Sequence, residues 1–114
     1  MKLSAATRAL AALSHAHRLA AFRLLVQAGP EGRPAGEVAS ALGISPPALS
    51  FHLSQLANAG LVRAKHDGRF VYYSADFEAM NALLEFLTEN CCGGNPCTSV
   101  PRLGATKRRR LVES

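Results

Sequence analysis

The run Leu42-Gly43-Ile44-Ser45-Pro46-Pro47-Ala48-Leu49-Ser50-Phe51-His52-Leu53-Ser54-Gln55-Leu56 decides how the rest of this 114-residue chain reads. Ser45 is an N-cap residue type, and Pro46 follows at the first helical position, where a missing N–H breaks no intrahelical bond. A helix is therefore expected over 46–59, stopped at Gly60. On its wheel Leu49, Leu53 and Leu56 fall together and turn inward. Pro47, Phe51, Ser54 and Asn58 fall opposite, with Ala48, Ser50 and Gln55 at the sides. Upstream, Val38, Ala39 and Leu42 mark a shorter helix that Gly43 ends. Two helices of unequal length about a tight glycine turn make a helix-turn-helix.

The flanks complete a domain. Leu3, Ala6, Leu10 and Leu13 recur at helical spacing; Ser14 is a cap for the next helix, with Leu19, Phe22, Leu25 and Val26 as its stripe. Gly29-Pro30 and Gly32-Arg33-Pro34 punctuate a loop. Beyond Gly60 the period shortens to two, and 61–65 and 69–73 read as strands about an Asp67-Gly68 turn. Asp76 caps a last helix carrying Phe77, Met80, Leu83, Leu84 and Leu87. The expected fold is mainly α with a β-hairpin wing, a homodimeric winged helix-turn-helix. Residues 1–89 form the DNA-binding and dimerisation domain, and 90–114 a tail with a cysteine ligand site and a basic end.

The face opposite Leu49, Leu53 and Leu56 is short and uncharged, so it enters a major groove without setting acidic groups against phosphate. Gln55 suits adenine, Ser50 and Ser54 suit base edges or phosphate, and Phe51 either suits a thymine methyl or turns sideways onto the neighbouring helix. The DNA-facing set expected from sequence is Pro47, Ala48, Ser50, Phe51, His52, Ser54 and Gln55, joined by Arg63, Lys65 and Arg69 of the wing. His52 stands at the edge of the apolar stripe, with a structural or phosphate-touching role and no histidine at ligand spacing. His15 and His17 read as surface or capping residues.

Of the net charge of +5, residues 1–101 hold eight basic and seven acidic groups. Residues 102–114 hold Arg102, Lys107, Arg108, Arg109 and Arg110 against Glu113. The basic excess is thus mostly a tail, able to attract phosphate without reading sequence. No apolar run reaches the roughly 18 residues of a membrane helix, and no signal peptide is read. Three cysteines confined to Cys91-Cys92-Gly93-Gly94-Asn95-Pro96-Cys97 staple nothing, so a reducing cytoplasm is the expected home.

Residues 8–88 resemble the ArsR/SmtB family of metal-responsive winged-helix repressors. Ala12-Leu13-Ser14-His15-Ala16-His17-Arg18-Leu19 is similar to the family's ALSDPTRL opening, and residues 42–56 to its LGLSQPTVSRHLKVL segment. Ala59-Gly60-Leu61-Val62 and Gly68-Arg69-Phe70-Val71-Tyr72-Tyr73 complete the likeness. The resemblance implies a homodimer through the first and last helices (about 3–13 and 76–89), double-stranded operator DNA, and release on ligand binding. It also implies no cofactor for DNA binding itself. The family's CVC site is absent, since Pro34-Ala35-Gly36-Glu37-Val38 stands there. Its Asp/His site on the last helix is incomplete, since Asp76 has no histidine partner on that helix. Cys91, Cys92 and Cys97 resemble the arrangement of arsenite-responsive members.

Chemistry supports that ligand class. Gly93-Gly94 and Asn95-Pro96 favour a turn that brings three thiolates together. Three soft sulfurs without a neighbouring imidazole or carboxylate suit As(III) or Sb(III) as a three-sulfur adduct. Zinc and many cadmium sites need a fourth donor, which water, Glu89 or a partner subunit can supply. A response to another soft metal (Cd, Zn, Pb) or to thiol oxidation stays open at this point. A small thiol enzyme such as a reductase is the competing class, but there is no Cys-x-x-Cys, no βαβ pattern and no phosphate-cradling loop.

Overall fold

A computed structural model describes residues 1–94. The order is α1 (Leu3–Leu13), α2 (Ala16–Ala28), β1 (Arg33–Pro34), α3 (Ala35–Leu42), α4 (Pro46–Asn58), β2 (Val62–Asp67), β3 (Phe70–Ala75) and α5 (Phe77–Thr88), then a tight turn at Cys91–Gly94 with left-handed backbone at Cys92 and Gly93. Cys97 and the basic tail lie outside the described residues.

The α3–α4 turn forms as its residue types dictate. Gly43 is left-handed (φ 69°), and its N–H reaches back to the Ala39 and Ser40 carbonyls. Ser45 Oγ accepts from the Ala48 N–H at 3.3 Å, and Pro46 opens α4. Leu49, Leu53 and Leu56 are all but inaccessible, and with Leu25, Val38 and Leu61 they form the centre of the core. The recognition-type helix is therefore anchored along one whole side.

The sheet has three strands in the order β1-β3-β2, all antiparallel. Val62 pairs with Ala75 and Asp67 with Phe70, so the hairpin turn is Gly68-Arg69, one residue later than Asp67-Gly68. Gly68 supplies the positive φ (63°) at its first position. The edge strand β1 replaces the loop expected over 29–34. Gly32, at φ 72°, lies so close to the Tyr73 carbonyl oxygen that a Cβ has no room there. Pro34 is tolerated because an edge position asks for no second ladder bond.

The helix faces depart from the sequence stripes at both ends. In α1 the buried residues are Ala6, Ala9 and Ala12, whereas Leu3 is 71% exposed and Leu10 44%. Small alanines let α1 lie close to its neighbours, and the leucines turn outward. Leu19 is exposed while Ala21, Phe22 and Leu25 are buried. In α5 only Leu83 is buried, and Leu84 and Leu87 are exposed. The cap of α2 also differs: His15, not Ser14, is the N-cap, its Nδ1 accepting from the His17 N–H at 3.1 Å.

Candidate nucleic-acid interface

The outer side of α4 is built from Pro47, Ser50, Phe51, Ser54, Gln55 and Asn58, all exposed, with Ala48 half-buried beside them. None is charged, so this surface approaches a polyanion without repulsion. Phe51 is 59% exposed, and its ring lies T-shaped to that of His52, with centroids 5.7 Å apart. An aromatic ring left this open costs water contact unless something else covers it.

On the wing, Lys65, His66, Arg69 and Phe70 are exposed around the hairpin tip. Arg63 shares the strand face of Lys65 and is exposed, but is tied to the cap of α5. Its Nε donates to Asp76 Oδ2 at 3.1 Å, while Asp76 Oδ1 accepts from the Ala79 N–H at 3.0 Å to cap α5. Burial alone raises the Asp76 carboxyl; the Ala79 N–H and the Arg63 guanidinium outweigh it and hold the group below its ordinary 3.8. Arg63 thus joins the wing to α5 as well as facing solvent.

His52 departs most from expectation. It is 9% exposed, and its Nδ1 accepts from Arg18 Nη1 at 3.3 Å. Its ring centroid is 4.5 Å from that of His15 and 5.6 Å from that of His17. No histidine stands at ligand spacing along the chain from His52, but the fold brings up two from 35 and 37 positions away, where no local spacing reveals them. Burial, then the neighbouring His15, Arg18 and His17, push its pKa below the ordinary 6.5. The only hint in the sequence was His15-Ala16-His17 at a helix start.

Among the cysteines, Cys91 is half-buried and Cys92 exposed, directly after α5. Their sulfurs stand 3.5 Å apart, beyond the roughly 2.05 Å of a disulfide. Asn90, Cys92, Gly93 and Gly94 all have positive φ, so the chain coils tightly after the helix. Among the described residues no helix is long and apolar enough to cross a membrane.

An anchored helix with an uncharged outer face, a tight turn before it and a basic hairpin behind it define a winged helix-turn-helix, the architecture of a DNA-binding transcriptional regulator. Comparison with known proteins agrees. A helix-turn-helix domain family matches residues 13–64. The chain is 35% identical over 83 residues to the HTH-type transcriptional regulator YgaV of Escherichia coli, covering 73% of this chain and 82% of that one. It resembles the homodimeric winged helix-turn-helix domain of a possible ArsR-family regulator from Mycobacterium bovis (TM-score 0.62, 26% identity, 83% of this chain and 88% of that one). It also resembles the crystal structure of a possible transcriptional regulator for arsenical resistance (TM-score 0.61, 31% identity, 71% and 80%). The chain belongs to the ArsR family of winged-helix transcriptional regulators. Its relatives are regulators, not enzymes.

Proposed function

We propose that this chain is an arsenite- or antimonite-responsive repressor that binds operator DNA as a homodimer in the cytoplasm and releases it when Cys91, Cys92 and Cys97 hold the inducer. The observation that carries the reading is the placement of Cys91 and Cys92 at the end of α5, sulfurs 3.5 Å apart. Adjacent thiolates at that separation can share one soft atom, and the coil of positive-φ residues after α5 suits a chain folding back on itself. Cys97 supplies the third sulfur in this reading. The likeness to a possible regulator for arsenical resistance supports the choice of ligand.

The dimer joins α1 and α5 of two copies. Leu3 and Leu10 on α1 and Leu84 and Leu87 on α5 are exposed apolar side chains on two helices that touch each other. An apolar groove lined by Leu13, Leu19, Phe22, Val26, Met80 and Leu84 runs beside them. Covering these groups against a second copy explains why the leucines of α1 face away from their own core. The homodimeric relative uses the same fold. Two copies then present two α4 helices to successive major grooves, with Pro47, Ala48, Ser50, Phe51, Ser54 and Gln55 at the bases. Lys65 and Arg69, with Arg63 behind them, meet phosphate or the minor groove. His52 acts from beneath, by holding α4 against α2.

The cysteines sit at the end of a dimer helix, and Asp76 and Arg63 link the start of that helix to the wing. Drawing three sulfurs together retensions α5 and alters how the reading heads are held; a coupling of about 1–3 kcal/mol changes DNA affinity roughly five- to 150-fold. The test is operator titration of the reduced full-length protein with and without arsenite, using a duplex selected by the protein itself. Arsenite should weaken binding. Cys91→Ser, Cys92→Ser and Cys97→Ser should each bind DNA normally but release poorly. Equal affinity with and without arsenite refutes the inducer, and loss of DNA binding in all three variants makes the cysteines structural.

A further inference from the structure

We propose that His15, His17 and His52 form a separate site for a borderline divalent transition cation, represented by Zn²⁺, that fastens the start of α2 to the middle of α4. One ligand nitrogen from each ring can be chosen so that all three lie within 4.8 Å of one another, the only such group of three among the described residues. The inference does not rest on the arsenite reading: its donors are imidazoles on α2 and α4, not thiols after α5.

The arrangement has the features of an open metal site. His52 is the buried, oriented ligand, held by the body of α4. His15 and His17 are exposed at the start of α2, and the His15 ring turns only by giving up its cap bond from the His17 N–H. Zn–N bonds of about 2.0–2.1 Å in tetrahedral geometry place ligand nitrogens roughly 3.3–3.4 Å apart, so from a separation of up to 4.8 Å the rings need to close by at most about 1.5 Å. Rotation of the two exposed side chains supplies that without moving the backbone. Three protein nitrogens leave a fourth position for water, and an all-imidazole set suits Zn²⁺, Cu²⁺ or Ni²⁺ over hard cations that want oxygen.

The present hydrogen bonds set the cost. His15 Nδ1 accepts the α2 cap bond from the His17 N–H, and His52 Nδ1 accepts from Arg18. In neutral rings those bonds place the proton on Nε2. A cation therefore either takes the Nδ1 lone pairs and displaces both bonds, or binds Nε2 after the proton moves to Nδ1, which also breaks them. Arg18 adds repulsion: its Nη1 stands 3.3 Å from His52 Nδ1 while its Nε is held on the Ala12 carbonyl at 2.7 Å, so the cation has to displace the Nη1 contact. Occupancy thus exchanges a helix cap and an Arg18 contact for a direct tether on α4, the helix that presents Phe51 and Gln55.

The test uses the untagged full-length chain with Cys91→Ser, Cys92→Ser and Cys97→Ser, so that no thiol competes. Zn²⁺ is titrated by calorimetry and Co²⁺ by visible absorption. One cation per chain is expected, with cobalt d–d bands and no thiolate charge-transfer band. The ring signals of His15, His17 and His52 should shift in ¹H–¹⁵N spectra and those of His66 should not. His17→Ala, and His15→Ser, which keeps a capping residue, should each weaken binding by roughly 100-fold. Absence of stoichiometric binding, or an affinity that neither substitution changes, overturns the site.

Discussion

Replacing Phe51 by alanine separates the reading face from the core in a single step. The ring is 59% exposed and lies T-shaped to the ring of His52. A phenylalanine presents on the order of 200 Å² of coverable surface, so about 120 Å² stands open to solvent in the free chain. At about 25 cal/mol per Å², complete coverage by DNA is worth at most about 3 kcal/mol. A thymine methyl and its sugar cover about half of such a ring, which leaves about 1.5 kcal/mol, or roughly tenfold in affinity per subunit. Folding stability should change by less than about 0.5 kcal/mol, as for other surface substitutions. Fluorescence anisotropy with a selected duplex at fixed salt, beside a denaturant melt, reads both quantities. Unchanged DNA affinity in Phe51→Ala refutes the placement of this face in the groove. A melt displaced by several kcal/mol shows instead that the ring is a packing residue.

Gly32→Ala should destabilise the chain by about 2–3 kcal/mol, because it adds a side chain at φ 72° against the Tyr73 carbonyl; a denaturation midpoint equal to wild type contradicts that contact. Asp76→Ala should cost about 1 kcal/mol through the lost α5 cap. The stability owed to ionised Asp76 is complete above its ordinary 3.8 and disappears as pH falls through its lower folded value. Asp76→Asn, which still caps, should therefore flatten the acid limb of a stability–pH curve. His52 gives the same sign at higher pH: the unfolded ring protonates near 6.5 while the folded ring resists, so stability held above 6.5 is lost as pH falls below it. With chelator present, His52→Gln should remove that slope, and a slope unchanged in the variant assigns it to another group.

The recognition helix was legible because everything that makes it is local. Ser45, Pro46 and Gly43 act within one turn of themselves, and Leu49, Leu53 and Leu56 repeat at the helical period. The hairpin was legible to within one residue for the same reason: alternation gives the strands, but only pairing decides which two residues bridge them. The edge strand β1 was not legible. Two residues carry no period, and they pair only because Gly32 lets the chain lie against β3. Nor was the inward face of α1, where both leucines and alanines recur at helical spacing and hydrophobicity favours the leucines. Available space favoured the alanines.

Of the candidate sites, the thiols were readable as neighbours in sequence, and the tertiary structure added the 3.5 Å separation and the position after α5. The histidine cluster was not readable, because His52 meets His15 and His17 only when α4 packs across α2. Sequence by itself determined the regulator: capping, turn and periodicity signals act over a few residues and suffice to specify a winged helix-turn-helix with a cysteine-bearing end. Tertiary packing alone decided which apolar groups stay outside and which distant imidazoles meet. Both depend on the space between elements, which no stretch of chain encodes on its own.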